Sequence, residues 1–250
     1  MTLLAALCGG SMLFLASYTQ QCGIELTANP GRAGFITGLY TVLTPILYFL
    51  FFRRRSGMRI WVGAVLATVG LYLLCFDGTP DFRMSTGDLL ILLCALFWAW
   101  HVIVIDLFAA SVNSLWFACG QFFVCGMLNL AVAFATGEPT WAALYEGRGA
   151  ILFCGILSTG IGFTGQIIGQ KIAGDPTRSA ILLSTESLFS AIGGIVWNLL
   201  PIGKANPVDS SMNLYAIAGC AIIFASVILS QLPDHRAGKA AHAGGADPKP

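Results

Sequence analysis

The sequence predicts an all-α fold: a polytopic membrane helical bundle of about eight transmembrane helices, organised as an inverted-topology repeat of three helices and five. Three observations lead there. Of 250 residues, 56% are hydrophobic and 10% are charged, against roughly a quarter charged in a soluble domain, so the chain has too little polar surface to dissolve. Apolar runs of about 20 residues, the length a helix needs to cross hydrocarbon, recur from end to end. One segment also repeats at a fixed offset, in helices that must face opposite ways across the membrane.

The spans follow in order. Leu3 to Ile24 begins almost at Met1 with no basic residue ahead of it, unlike the charged start of a cleavable signal peptide, and is expected to be retained. Ala33 to Phe52 contains Pro45, which removes a backbone donor and should kink or loosen the helix. Ile60 to Phe76 follows the basic run "FFRRRSGMR", and Gly87 to Phe108 carries "FWAWHVIVID". Leu115 to Ala135, Ala150 to Ile172, Ser179 to Leu200 and Leu214 to Leu232 complete the set. The connections are short, so sequential helices should pack antiparallel. From Pro233 the chain reads "PDHRAGKAAHAGGADPKP", poor in large apolar residues, and residues 233–250 are expected to form a disordered cytoplasmic tail.

Orientation comes from the basic residues. If Arg53, Arg54, Arg55 and Arg59 are cytoplasmic, alternation puts Lys171, Arg178, Arg236, Lys239 and Lys249 on the same side, nine in all. The opposite side then holds Arg32, Arg83, Arg148 and Lys204. This excess places both termini in the cytoplasm. The net charge of +1 implies no nucleic-acid partner. The eight cysteines fall inside predicted spans without CxxC pairs or metal-ligand spacing, and read as small apolar packing residues. No cofactor and no metal are expected.

The repeat is visible in "QQCGIELTANPGR" (Gln20 to Arg32) and "QIIGQKIAGDPTR" (Gln166 to Arg178), where Gln, Gly, Pro and Arg fall in register at an offset of 146. "GAVLATVGLYLL" from Gly63 and "GCAIIFASVILS" from Gly219 match in hydropathy at an offset of 156. Equivalent helices are five crossings apart, and an odd number inverts the second copy relative to the first. Residues 1–76 thus form a partial first repeat of three spans and residues 87–232 a second of five. Such repeats place a polar site near the bilayer midplane where the copies meet. A complete first copy would need two more helices, which this sequence lacks ahead of Met1.

These segments resemble the drug/metabolite transporter superfamily, in particular its ten-helix EamA branch of bacterial inner-membrane permeases. The resemblance is carried by "QQCGIELTANPGRAGFITGLYTVLTPIL", "WVGAVLATVGLYLL", "GDLLILLCALFWAWHVIVID", "SAILLSTESLFSAIGG" and "AGCAIIFASVILSQL", as an ordered set over nearly all of Met1 to Leu232. It implies a multi-pass protein of the cell inner membrane. The chain departs from the pattern in having "FFRRRSG" and "NLLPIGKANPVD" where a Gly-Glu is usual, and in lacking the first two helices.

Candidate site residues are polar groups inside the apolar runs, where a central charge costs roughly 2.5 to 3.5 kcal/mol and should face a partner or a watery cavity. Glu186 is the foremost, on a stripe with Ser190, Gly193 and Trp197, and the family is similar in carrying an acid at this point of its ninth helix. Thr37, Thr41, Thr44 and Tyr48 form a second stripe with Tyr40 beside it; the hydroxyls either line a cavity or bond back to their own helix. Tyr18 and Gln21 lie about a turn apart and could face the same cavity. Gln20 and Gln166, equivalent in the repeat, either contribute to it or bond between helices. His101 is a titratable candidate or a packed donor. "GFITG" and "GQIIG" have the spacing for close helix contact around the pseudo-twofold axis.

No HExxH, GxSxG or Walker A pattern is present, so the chain reads as neither an enzyme nor an ATP-driven pump. The resemblance implies a secondary transporter, working as an exporter, that moves small organic metabolites or drugs by alternating access. Its partners are then the lipid bilayer and a small-molecule substrate, with a homodimer left open. The alternative is a non-transporting membrane subunit, or a truncated transporter that needs a partner.

Overall fold

The computed structural model describes residues 1–27, 30–54, 56–75, 84–137, 140–200, 204 and 214–232. Regular structure among them is entirely helical. The elements are α1 (Thr2–Thr27), α2 (Pro30–Gly38), α3 (Tyr40–Phe52), α4 (Met58–Leu74), α5 (Thr86–Ala109) and α6 (Ser114–Thr136), followed by α7 (Trp141–Phe153). A π-helical segment, Cys154–Phe163, joins α7 to α8 (Thr164–Ala173); α9 (Pro176–Leu183), α10 (Thr185–Leu199) and α11 (Leu214–Gln231) complete the order. Seven helices, counted across internal breaks, are long and apolar enough to span a membrane, and Met58–Leu74 is a shorter apolar helix. At 17 residues it sits at the lower limit for a crossing. The chain is a multi-pass membrane protein.

Local sequence explains the helix ends. Ser85 and Asp88 form a reciprocal capping box at the start of α5. Asn113, Thr140 and Asp175 cap α6, α7 and α9 through side-chain oxygens, with Pro176 opening α9. Gly137 and Gly174 close α6 and α8 in the left-handed conformation, which glycine adopts without a Cβ penalty.

Two packing centres hold the bundle. α1 lies along α5 and α6, and α4 lies along α11. In the second pair the backbones meet at glycine: a Cβ on Gly70 would stand 2.8 Å from the Gly219 carbonyl oxygen, and one on Gly63 would stand 3.3 Å from that of Ser226. These contacts make the helices antiparallel and leave no room for a larger residue at Gly70. Ala5, Ile105, Ala109, Phe117, Ala118 and Ile167 form one buried cluster, and Ile60, Ala64, Ala67, Ile181 and Val227 another. Large apolar side chains point outward elsewhere, Phe134 at 79% exposure and Trp141 at 86% among them, as expected where lipid replaces water.

Several expectations are revised. The sixth span starts at Trp141 and not Ala150, because the Thr140 cap begins the helix and Arg148 is accommodated within α7, its guanidinium over the Tyr145 ring at 4.0 Å. The second span is interrupted at Leu39, with Pro45 buried inside α3. "GFITG" does pack closely, Gly38 against Leu71, but Gly165 and Gly169 of "GQIIG" meet nothing within 4 Å. The tail from Pro233 lies outside the described residues.

Candidate functional site

The sequence predicted two continuous spans where the structure has two broken ones. The break between α2 and α3 falls at Leu39, and that between α9 and α10 at Ser184. Hydroxyl groups take up carbonyls around each. Thr41 Oγ1 donates to the Gly38 carbonyl at 2.9 Å and Thr44 Oγ1 to that of Tyr40 at 2.7 Å. At the second break Ser184 Oγ donates to the Ile181 carbonyl at 2.6 Å, and Thr185 Oγ1 to that of Leu182 at 2.7 Å. Serine and threonine offer the backbone an alternative to the helical ladder, and Pro45 withholds a donor from the turn before it. Interruptions at membrane depth are tolerated where protein or a wet cavity surrounds the freed groups.

Tyr40 follows the first break and Glu186 the second, at positions that differ by the repeat offset of 146. The two lie within electrostatic reach of each other. Tyr40 is half-buried beside Leu47, Ala99 and Ile103. Glu186 is exposed at the surface of α10 and makes no hydrogen bond or ion pair among the described residues. Ser190 and Trp197 continue its stripe and are exposed too, Trp197 at 37%. Near the first break, Gln20 Nε2 donates to Thr37 Oγ1 at 3.3 Å, joining α1 to α2. The equivalent of Thr37 is Leu183, which cannot accept, and Gln166 stays half-buried without a hydrogen bond among the described residues.

The other candidates sit differently. Thr41 is fully buried, its hydroxyl spent on the Gly38 carbonyl across the break. Tyr18 is 39% exposed and stacks on Phe14 with ring centroids 5.5 Å apart. Gln21 is exposed and donates to Glu25 at 3.3 Å, one turn along α1. His101 is completely buried, its Nε2 3.2 Å from Gln121 Oε1, so the pair ties α5 to α6. Trp98 stacks on Phe163 of the π-helical segment at 5.8 Å and 8°. The structure therefore joins Gln20 to Thr37, puts Tyr40 within electrostatic reach of Glu186 without a hydrogen bond between them, and leaves His101, Tyr18 and Gln21 in separate surroundings.

Sequence reasoning missed an ion pair. Arg32 donates from Nε to Asp88 Oδ1 at 2.9 Å, and its second terminal nitrogen lies 2.8 Å from Oδ2; the Arg32 side chain is 23% exposed and that of Asp88 1%. Asp88 also accepts the Ser85 N–H at 2.7 Å. The signal was present as "STGD" ahead of an apolar run, a capping-box pattern. Nothing in the sequence paired that acid with Arg32.

As a chemical environment, the breaks offer a carboxylate with no fixed counterion, a phenol, and an amide–hydroxyl pair. These groups can exchange a proton and accept or donate hydrogen bonds.

The model of the EamA-like transporter family matches residues 85–232. An uncharacterized transporter of Archaeoglobus fulgidus is 28% identical over 184 residues, 72% of this chain and 56% of that protein. The uncharacterized transporter YdfC of Bacillus subtilis is 29% identical over 73 residues, 29% of this chain and 24% of that protein. The chain thus spans about half the length of the first of these relatives and less of the second. A solved structure described only as "Crystal structure of protein" superposes with a TM-score of 0.68 at 19% identity, over 94% of this chain and 88% of that one, a likeness of fold. With more than half of its residues matched by the family model, the chain belongs to the EamA-like transporter family.

Proposed function

We propose that this membrane transporter moves small organic metabolites or drugs by a secondary, alternating-access mechanism, in the direction of export. The observation that supports this best is the paired breaks at Leu39 and Ser184, each followed by a polar side chain, Tyr40 and Glu186, within electrostatic reach of the other. Discontinuous helices at equivalent places in two halves are where secondary transporters hold their substrates. In this reading the chain comprises two oppositely oriented copies, residues 1–76 and 87–232, with Tyr40, Thr37, Gln20, Gln166 and Glu186 toward the solute and α4 against α11 near the axis. The basic residues place both termini in the cytoplasm of an inner membrane. Glu186 then binds a cationic or hydrogen-bonding group of the solute, or a coupling proton.

The test is uptake and efflux in proteoliposomes over a panel of amino acids, nucleobases, sugars and cationic drugs, comparing wild type with Glu186→Gln and Tyr40→Phe. We expect loss of coupled transport in Glu186→Gln, with the folded yield unchanged because Glu186 holds no structural bond. Full transport by that variant would remove the acid from the mechanism. A second reading, a membrane subunit that transports only with a partner, is favoured by the α7–α8 span, whose apolar window is only 6% buried. Inactive purified chain that regains flux when a partner is added would support it.

A further inference from the structure

Away from the paired breaks, three buried polar atoms that have no hydrogen-bond partner among the described residues belong to one aromatic cluster: His101 Nδ1, Gln121 Nε2 and Trp98 Nε1. His101 and Gln121 are completely buried and meet through their other atoms, His101 Nε2 lying 3.2 Å from Gln121 Oε1. Trp98 Nε1 has only the weakly bonding Cys94 thiol nearby. The Trp98 and His101 rings meet edge to face with centroids 5.6 Å apart. Phe163 lies parallel on Trp98 at 5.8 Å and 8°, and Phe122 meets Phe163 at 6.4 Å. Phe163 is the last residue of the π-helical segment Cys154–Phe163, none of whose residues is buried.

With Gln121 Oε1 accepting, the neutral imidazole is assigned its proton on Nε2, so Nδ1 is an acceptor while Gln121 Nε2 and Trp98 Nε1 are donors. Buried donors and acceptors without partners are rare and call for a reason, a bound group among them. One acceptor beside two donors fits a hydroxyl or a carboxamide, which both gives and takes hydrogen bonds. No charged side chain bonds to these atoms among the described residues, so an uncharged group suits the surroundings. The flat faces around it suit an aromatic ring, and Phe163 already covers the face of Trp98 that such a ring would take. A π-helical stretch is rare and recurs at functional sites. Rewinding it into an α-helix changes the angle between successive residues, which turns Phe163 off Trp98.

We propose that Trp98, His101 and Gln121 form a binding station for an uncharged aromatic molecule bearing a hydroxyl or carboxamide, with Phe163 as the plug that its ring displaces. The ligand ring stacks on Trp98, and its polar group donates to His101 Nδ1 and accepts from Gln121 Nε2 or Trp98 Nε1. The station is separate from Tyr40 and Glu186 and its occupancy is read without flux, so it can fail while the transport reading stands.

The test uses the full chain in detergent, with His235→Gln and His242→Gln so that His101 is its one imidazole, labelled with nitrogen-15 histidine and titrated with phenol or toluene. We expect phenol to move the Nδ1 resonance saturably to a hydrogen-bonded position, and toluene, which has the ring without the hydroxyl, to leave it in place. Phe163→Ala removes the plug and should half-saturate at roughly two- to twelvefold less phenol, the worth of one aromatic stack. Gln121→Leu should need roughly fivefold more phenol or beyond. Trp98→Phe, which keeps the ring and removes the N–H, is the second variant should Gln121→Leu fail to fold. A resonance unmoved by phenol in both wild type and Phe163→Ala, an equal movement with toluene, a half-saturation no lower in Phe163→Ala than in wild type, or one unchanged in both Gln121→Leu and Trp98→Phe would each overturn the proposal.

Discussion

The Arg32–Asp88 pair fastens the start of α5 to α2, and its two halves should not cost the same to remove. Asp88 is 1% exposed and Arg32 23%, so Arg32→Ala strands a buried carboxylate that retains only the Ser85 N–H among the described donors, whereas Asp88→Asn leaves a guanidinium able to turn toward the surface. Removing one partner of a buried pair costs about 3–5 kcal/mol, and losing charge-assisted bonds about 1.5–3 kcal/mol. Arg32→Ala belongs to the first case and Asp88→Asn to the second. At roughly 2–4 °C per kcal/mol for a chain of this size, the apparent midpoint should fall by roughly 6–20 °C in Arg32→Ala and by roughly 3–12 °C in Asp88→Asn. With the exposed Cys119 and Cys154 replaced by Ser, a thiol-reactive fluorogenic dye in detergent reads this, because Cys94 is fully buried and Cys220 nearly so until the bundle opens. A midpoint for Arg32→Ala within about 2 °C of wild type, or a larger loss in Asp88→Asn, would refute the assignment of the buried charge to Asp88.

Three further outcomes use the same assay. Gly70→Val should prevent stable assembly of α4 on α11, since the obstructing atoms are the backbone of Gly219 and Ile223, while Gly126→Val, with nothing within 4 Å, should be neutral. His101→Leu should cost about 1–3 kcal/mol by stranding Gln121, and adding Gln121→Leu should recover most of that loss. Asp175→Ala should cost about 0.5–2 kcal/mol, because its carboxylate caps α9 through the N–H groups of Thr177 and Arg178, and Asp175→Asn should cost less.

The spans were legible because hydrocarbon thickness fixes how long an apolar run must be; boundaries were close at the Ser85 and Asn113 caps and missed at Thr140, where Glu146 and Arg148 interrupt the apolar run just inside the helix. The breaks at Leu39 and Ser184 were not legible. Both lie inside runs long and apolar enough to read as one continuous span, and the serine and threonine groups that reroute the backbone there look the same in sequence as those that merely bond back to their own helix. Tyr40 and Glu186 were named as separate candidates on separate stripes. Their nearness follows from how α3, α9 and α10 pack, which no pattern along one helix encodes. His101 illustrates the converse: its chemistry suggested titration, and its surroundings, with Gln121 beside it, make it a tie between α5 and α6.

By itself, then, the sequence determined that this chain lies in a bilayer as a multi-pass helical bundle, because solvent transfer and helix length are properties of composition along the chain. Only the tertiary structure decided which glycines are packed against a neighbouring helix, that Arg32 meets Asp88, and that the helices break at Leu39 and Ser184. Those outcomes depend on which faces meet in space, and contact between faces is decided by packing among helices far apart in sequence.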